Sequence, residues 1–300
     1  MSSQNRAMSL QNMAATTGFS PVLVLILLGL HGECYGQSDD ETRLIDLTWT
    51  MEEGMNVYPS HAKYRFTIVK RGEQPRGYYL ETNNVFMAEH TGTHLDAPAH
   101  FVEGAWRLDQ IPLGQLTGPG VVVDVRDKIG NNSRYAVTPQ DLQDWEREHG
   151  RIPDDSILML RTGWGEWYWE RGPSAYLGTD TTDTTLLRYP GLHPEGAQWL
   201  VDNRKVKVVG IDTISPGGVP VHETLLGSNV IIIENVAHLD EMPATGSTVY
   251  AMPMKIGQGS GGPARVFAIV DGRTSTAGPT APHNLVVLLS AIILFMLAFT

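Results

Sequence analysis

Three hundred residues, 42% of them hydrophobic, suffice for a sizeable buried core in one large domain or two small ones. A formal charge of −11 at neutral pH argues against nucleic acid and anionic lipid as partners. The single cysteine, Cys34, excludes an intrachain disulfide, so stability must come from packing and, where ligands allow, from a metal.

The amino end carries one basic residue, Arg6, ahead of an apolar run at 22–30 and small and polar residues at 32–37. That order is the order of a secretory signal peptide over residues 1–36, with Met8 or Met13 as alternative starts. An acidic linker follows, and then residues 43–48 alternate apolar and polar as a first strand does. Trp49 and Tyr58 come next, in a loop that ends at Pro59. Segments 64–70 and 77–87 are rich in β-branched and aromatic residues and predict two further strands.

These lead into HTGTHLDAPAH, residues 90–100, which sets His90, His94, Asp96 and His100 within eleven positions. Gly92 and Pro98 interrupt regular structure, so the spacing predicts a loop shaped around a ligand. Imidazole nitrogen with carboxylate oxygen suits a borderline divalent ion, zinc first, with manganese or iron also fitting; three protein ligands leave a position for water.

Beyond the loop, residues 120–125 read as a strand buried on both faces. Thr138 caps a helix with Pro139 at its first position, Asp141 and Asp144 near its positive end, and Gly150 past its stop. Residues 156–160 form another buried strand, ending in Arg161-Thr162-Gly163-Trp164. The aromatic group Trp164, Trp167, Tyr168 and Trp169 serves either as core or as the wall of a pocket for a flat substrate. A helix at 194–203, a strand at 206–211, a short helix at 222–226 and strands at 229–233, 249–256 and 265–270 complete the series. The whole is one mixed α/β domain, residues 37–275, with a central β structure and peripheral helices.

Asn131, in Asn-Asn-Ser, is an acceptor sequon that predicts a glycan in an exported protein. Residues 285–300 are almost wholly apolar and follow a polar spacer and the small residues Ser275, Thr276, Ala277 and Gly278. Residues 276–300 are therefore expected to be a GPI-anchor signal that is removed, or a short membrane tail. The expectation is an ectodomain on the extracellular face of the plasma membrane.

His222 and Glu234 stand twelve positions apart in HETLLGSNVIIIEN. Glu234 ends an apolar run, so a carboxylate is carried into or to the rim of the interior, where it needs a partner. An Arg or Lys would serve; the histidine segment favours a metal.

HTGTHLDAPAH matches the signature of the cyclase-like metal-dependent hydrolases, the family of the kynurenine formamidase and isatin hydrolase type. The blocks GIDTISP, HETLLGSNVIIIENV and RTGW resemble that family too, and the resemblance runs from about residue 44 to 270. It implies a swivelling β/β/α domain on a barrel-like β-sheet, and a homodimer. It also implies that His90, His94 and Asp96 hold one ion, that Asp96 bridges to a second held by His222 and Glu234, and that His100 is the proton shuttle. Where the family often has a substrate-contacting tryptophan before the first proline of its amino-terminal loop, this chain has Tyr58.

The chemistry follows from the residue types. A bound divalent ion lowers the pKa of water to about 7 and polarises a carbonyl. The amine of an amide leaves poorly as an anion, so a general acid is needed, and a histidine with a pKa near ~6.5 can accept and donate at neutral pH; His100 takes that part. Thr93, Asp212 and Asn235 are candidates for orienting the ligands from behind. The expected activity is metal-dependent hydrolysis of a small aromatic N-acyl, N-formyl or cyclic amide, with zinc or manganese, one or two ions per chain. A lactone or ester hydrolase, or a non-catalytic metal-stabilised surface binding protein, are the competing readings. Retention of His100 beside five ligand candidates favours the enzyme.

Overall fold

The structure, a computed structural model, describes residues 42–130, 132–168 and 172–270. The expected signal peptide, the Asn131 sequon, Trp169 and the expected anchor signal lie outside those residues. Among the described residues no helix is long and apolar enough to cross a membrane.

In chain order the strands are β1 (Arg43–Asp46), β2 (Arg65–Glu73), β3 (Tyr79–Phe86), β4 (His94–Asp96), β5 (Thr117–Asp124) and β6 (Ala136–Val137). Then come β7 (Ile157–Arg161), β8 (Gly191–Leu192), β9 (Val208–Ile211), β10 (Ile231–Glu234), β11 (Ser247–Pro253) and β12 (Gly261–Val270). The α-helices are α1 (Arg126–Ile129), α2 (Pro139–His149), α3 (Gly172–Leu177), α4 (Pro194–Asn203) and α5 (Val219–Gly227).

Seven strands, in the order β12-β11-β5-β7-β9-β10-β4, close on themselves because β4 pairs back with the start of β12. β1 lies outside the ring, antiparallel on the other half of β12. The run β5-β7-β9-β10 is parallel and the remaining pairings of this sheet are antiparallel. Strands of a closed, helix-covered barrel are buried on both faces, which is why β9 is wholly apolar and β7 and β10 are apolar up to their last residues, Arg161 and Glu234.

Their side chains alternate between two cores, as a period of two requires. Val122, Ile157, Met159, Val208, Ile231 and Ile233 share one cluster with Leu95 and Val266, the interior of the barrel. Val121, Val123, Leu158, Leu160, Val209, Ile211 and Ile232 share another with Leu142 and Trp145 of α2, Leu200 of α4 and Leu225 of α5, the layer between barrel and helices. The helix at Thr138 forms as the sequence predicts. Thr138 Oγ1 accepts from the Asp141 backbone N–H at 3.3 Å, and the Asp141 carboxylate accepts from that of Thr138 at 2.8 Å.

The structure corrects two expectations and decides one open alternative. The motif at 90–100 is not wholly a loop: His94–Asp96 is a short strand, buried throughout and paired on both sides by β10 and β12. Gly92, at φ +66°, turns the chain into it, and tertiary pairing overrides the breakers. The last strand starts at Gly261, not near 265, because Gly261–Pro263 is needed to close the ring against β4. Trp164 and Tyr168 belong to core, 6% and 1% exposed, packed with Tyr176, Met55 and Ile214. The segments at 64–70 and 77–87 do form strands, but β2 and β3 pair only with each other, away from the barrel.

Candidate metal centre

Leu95 points into the barrel, so His94 and Asp96 on either side of it must point out, and Glu234 does the same from β10. The register sets Glu234 opposite His94 and Ile232 opposite Asp96. α5 covers this patch and presents His222; the 3-10 turn Pro98–His100 presents His100. His90 packs against β12 at Gly261, where an added Cβ would lie 2.4 Å from His90 Cε1 and 2.6 Å from the Leu95 carbonyl oxygen. Only glycine permits that approach.

Asp96, 1% exposed, is the centre. Its Oδ1 is 2.7 Å from His90 Nδ1 and 3.3 Å from His94 Nε2, and its Oδ2 is 3.7 Å from His222 Nε2. Glu234 lies 3.3 Å from His94 Nε2 and 3.4 Å from His222 Nε2. His100 stacks on His90 with ring centroids 4.1 Å apart. All six residues singled out in the sequence as ligand or proton carrier therefore meet at one place. Single donor atoms of His90, Asp96 and His100 lie within 4.8 Å of one another, as do those of His94, Asp96 and Glu234, with Asp96 common to both groups.

These residues fit a divalent cation on their own chemistry. His94 Nδ1 lies 2.8 Å from the Gly92 carbonyl oxygen and His222 Nδ1 3.2 Å from that of Gly218. Each ring thus donates its N–H to backbone and turns Nε2 toward two carboxylates. His94 Nε2 and Asp96 Oδ2 are buried and have no hydrogen-bond partner. Lone pairs facing carboxylate oxygens need a cation between them.

Without a metal, that cation is a proton. Burial opposes charge on His94, but Asp96 and Glu234 outweigh it and raise the imidazole to about 10. Burial likewise opposes the charge on Asp96, yet His90 and His94 hold its carboxyl well below the ordinary carboxylate range. His100 differs: burial dominates and holds it down to about 4, well under the value near 6.5 expected of it.

The residues behind the ligands also take definite places. Asn235, with left-handed backbone at φ +54°, donates from Nδ2 to the Gly92 carbonyl that receives His94. Thr93 donates to the Asn235 carbonyl at 2.6 Å and accepts from the Trp49 backbone N–H. Asp212 orients no ligand. Its carboxylate accepts from Thr162 and Gly163 and anchors the RTGW turn, while Tyr176 bridges the Asp212 backbone carbonyl to the Asn235 side chain.

A cavity of about 460 Å³ opens over the cluster, walled by Tyr58, His61, Phe101, Leu187, Tyr189 and Ile214. Tyr58 was expected here; His61, Phe101 and Tyr189 were not. Phe101 stacks on His222 at 4.5 Å and follows His100 directly, so its adjacency to the motif was the available signal. Tyr189 has no motif around it and comes to the wall only through the fold. Behind His90, Ser260 Oγ lies 2.9 Å from its Nε2 and donates to Glu89 at 2.6 Å, a link across 171 residues that no local pattern announces.

The Cyclase family model matches residues 45–217. Among curated relatives, isatin hydrolase of Roseibium aggregatum is 29% identical over 206 residues, covering 65% of this chain and 76% of its own. Kynurenine formamidase of Salinibacter ruber is 23% identical, covering 74% and 95%. Isatin hydrolase A from Labrenzia aggregata, solved bound to benzyl benzoate, superposes with TM-score 0.69 at 30% identity, over 83% of this chain and 99% of that one. A structure described as a potential metal-dependent hydrolase with cyclase activity gives TM-score 0.58 at 25% identity, over 76% and 98%. Fold and donor set are those of a metal-dependent hydrolase built on a closed barrel. The chain belongs to the Cyclase family.

Proposed function

We propose that this chain hydrolyses a small aromatic amide, either an N-formyl or N-acyl arylamine or a cyclic amide, in the cavity above Asp96. The observation that carries this reading is the pair of buried, unpartnered atoms, His94 Nε2 and Asp96 Oδ2, beneath a cavity walled by aromatic rings. The names of the relatives, isatin hydrolase and kynurenine formamidase, support the amide class and a ring-bearing substrate. A divalent ion, zinc before manganese and one or two per chain, supplies Lewis acidity when bound, acidifying water and polarising the scissile carbonyl.

The protein's own part is positioning and proton transfer. Asp96 and Glu234 concentrate negative charge where the cation is needed, and the backbone-tied His94 and His222 keep their Nε2 atoms turned to the same point. His100 lines the cavity and is neutral at pH 7, so it accepts a proton from the attacking water. Once protonated, an imidazole whose charged form is disfavoured gives that proton up readily to the leaving amine. Tyr58, Phe101 and Tyr189 flank a flat ring.

Rates on matched pairs test the reading: N-formylkynurenine and isatin against an ester and a lactone of the same shape. Faster turnover of the amides supports it; ester or lactone turnover alone would replace it with an esterase. The proposal includes export and a lipid anchor. Release of the protein from cells by a phosphatidylinositol-specific phospholipase is expected, and its retention would remove the anchor.

A further inference from the structure

His90 is held differently from the two other histidines that face the carboxylates. His94 and His222 give Nδ1–H to backbone carbonyls and turn Nε2 inward. His90 turns Nδ1 inward, 2.7 Å from Asp96 Oδ1, and its Nε2 faces away from the centre to Ser260 Oγ at 2.9 Å. Its tie runs through two side chains, Ser260 and Glu89, rather than through backbone.

Proton count fixes the direction of each hydrogen bond in that tie. An ionised carboxylate only accepts, and a serine hydroxyl has one proton to give. Ser260 Oγ gives it to Glu89 Oε1 at 2.6 Å, so toward His90 it can only accept. The proton of the neutral imidazole therefore sits on Nε2, and Nδ1 keeps its lone pair toward Asp96. With the opposite tautomer, Nδ1–H would be used up on Asp96 and His90 would offer a cation nothing. The relay is also pinned in place. The Ser260 backbone N–H donates to the Glu89 carboxylate at 3.2 Å, and the Ser260 carbonyl accepts from the Ala97 N–H at 2.8 Å, beside the Pro98–His100 turn. The His90 side chain is 10% exposed and that of Glu89 35%, so a negative charge at the rim acts on a buried ligand. We infer that Glu89 and Ser260 are positioning residues for the metal: they fix the tautomer of His90 and, by drawing on its N–H, strengthen Nδ1 as a donor. The inference rests on the metal reading of the centre and not on which amide is cleaved.

Chelator competition with zinc, on the full-length protein, tests it. Ser260→Ala leaves Nε2–H without its acceptor, and Glu89→Ala frees the hydroxyl proton to turn toward Nε2; each is expected to weaken zinc binding by about 10–100-fold. Because both act through one chain of hydrogen bonds, the double variant is expected to lose no more than the worse single, instead of the product of the two losses. Nitrogen NMR of the zinc-loaded wild type is expected to place the His90 ring proton on Nε2, a signature that depends on no variant folding. Wild-type affinity in both single variants, multiplied losses in the double, or a ring proton on Nδ1 would each overturn the inference and leave the metal centre standing. A wild type that binds no zinc would overturn it together with the metal reading.

Discussion

At the scale of single residues, Asp96 and His100 have separable parts. Asp96 has both oxygens engaged with the cluster, and one of them lacks a hydrogen-bond partner. Asp96→Asn, which exchanges one carboxylate oxygen for an amide nitrogen, is expected to lose metal, read by elemental analysis. His100→Ala is expected to keep its metal and lose turnover by about 10²–10⁴-fold, the usual reach of general acid–base catalysis. Equal metal loss in both variants would remove the division. His94 sets a pH dependence for the metal-free protein. With burial outweighed by Asp96 and Glu234, its folded value of about 10 lies above the ~6.5 of an unfolded histidine. The stability it contributes is fully present below ~6.5 and is lost as pH rises through about 10. Thermal melts of the chelated protein are expected to fall steadily from neutral pH to that range, and Asp96→Asn to flatten the slope.

At the scale of elements, the site depends on β4 more than on any other strand. Leu95 is fully buried between the two candidate ligands His94 and Asp96, so Leu95→Ala is expected to cost about 2–5 kcal/mol in denaturant unfolding and to loosen metal binding. Gly261→Ala is expected to weaken metal binding as well, because its Cβ collides with the His90 ring and with backbone that cannot yield. Normal metal affinity in that variant would show that His90 has another place to go. The six site residues were legible because they lie in two short stretches whose side-chain chemistry is unusual in any local structure. The strand character of His94–Asp96 was not, since Gly92 and Pro98 are real breakers and only pairing with β10 and β12, from far along the chain, overcomes them. The parallel strands and the Thr138 helix were legible from apolar runs and capping residues. Trp164 and Tyr168 were ambiguous because tryptophan and tyrosine serve core and pocket alike, and only their packing with Tyr176 decides for core.

At the scale of the whole molecule, closure of the barrel brings the start of β12 beside β4 and so joins Ser260 to His90 and Glu89, which are remote from it in sequence. A metal held by this cluster links strands, helix α5 and the motif turn, and so is expected to stabilise the fold as well as the reaction. At a thousandfold excess over its dissociation constant a bound ion contributes about 4 kcal/mol. The most direct measurement is turnover of an aromatic amide by the purified protein before chelation, after chelation and after zinc or manganese is restored, with Asp96→Asn in parallel. Turnover that disappears on chelation, returns with the ion and is absent from the variant is the predicted result. Turnover indifferent to chelation, or a folded, metal-loaded protein inert toward every aromatic amide offered, would contradict it.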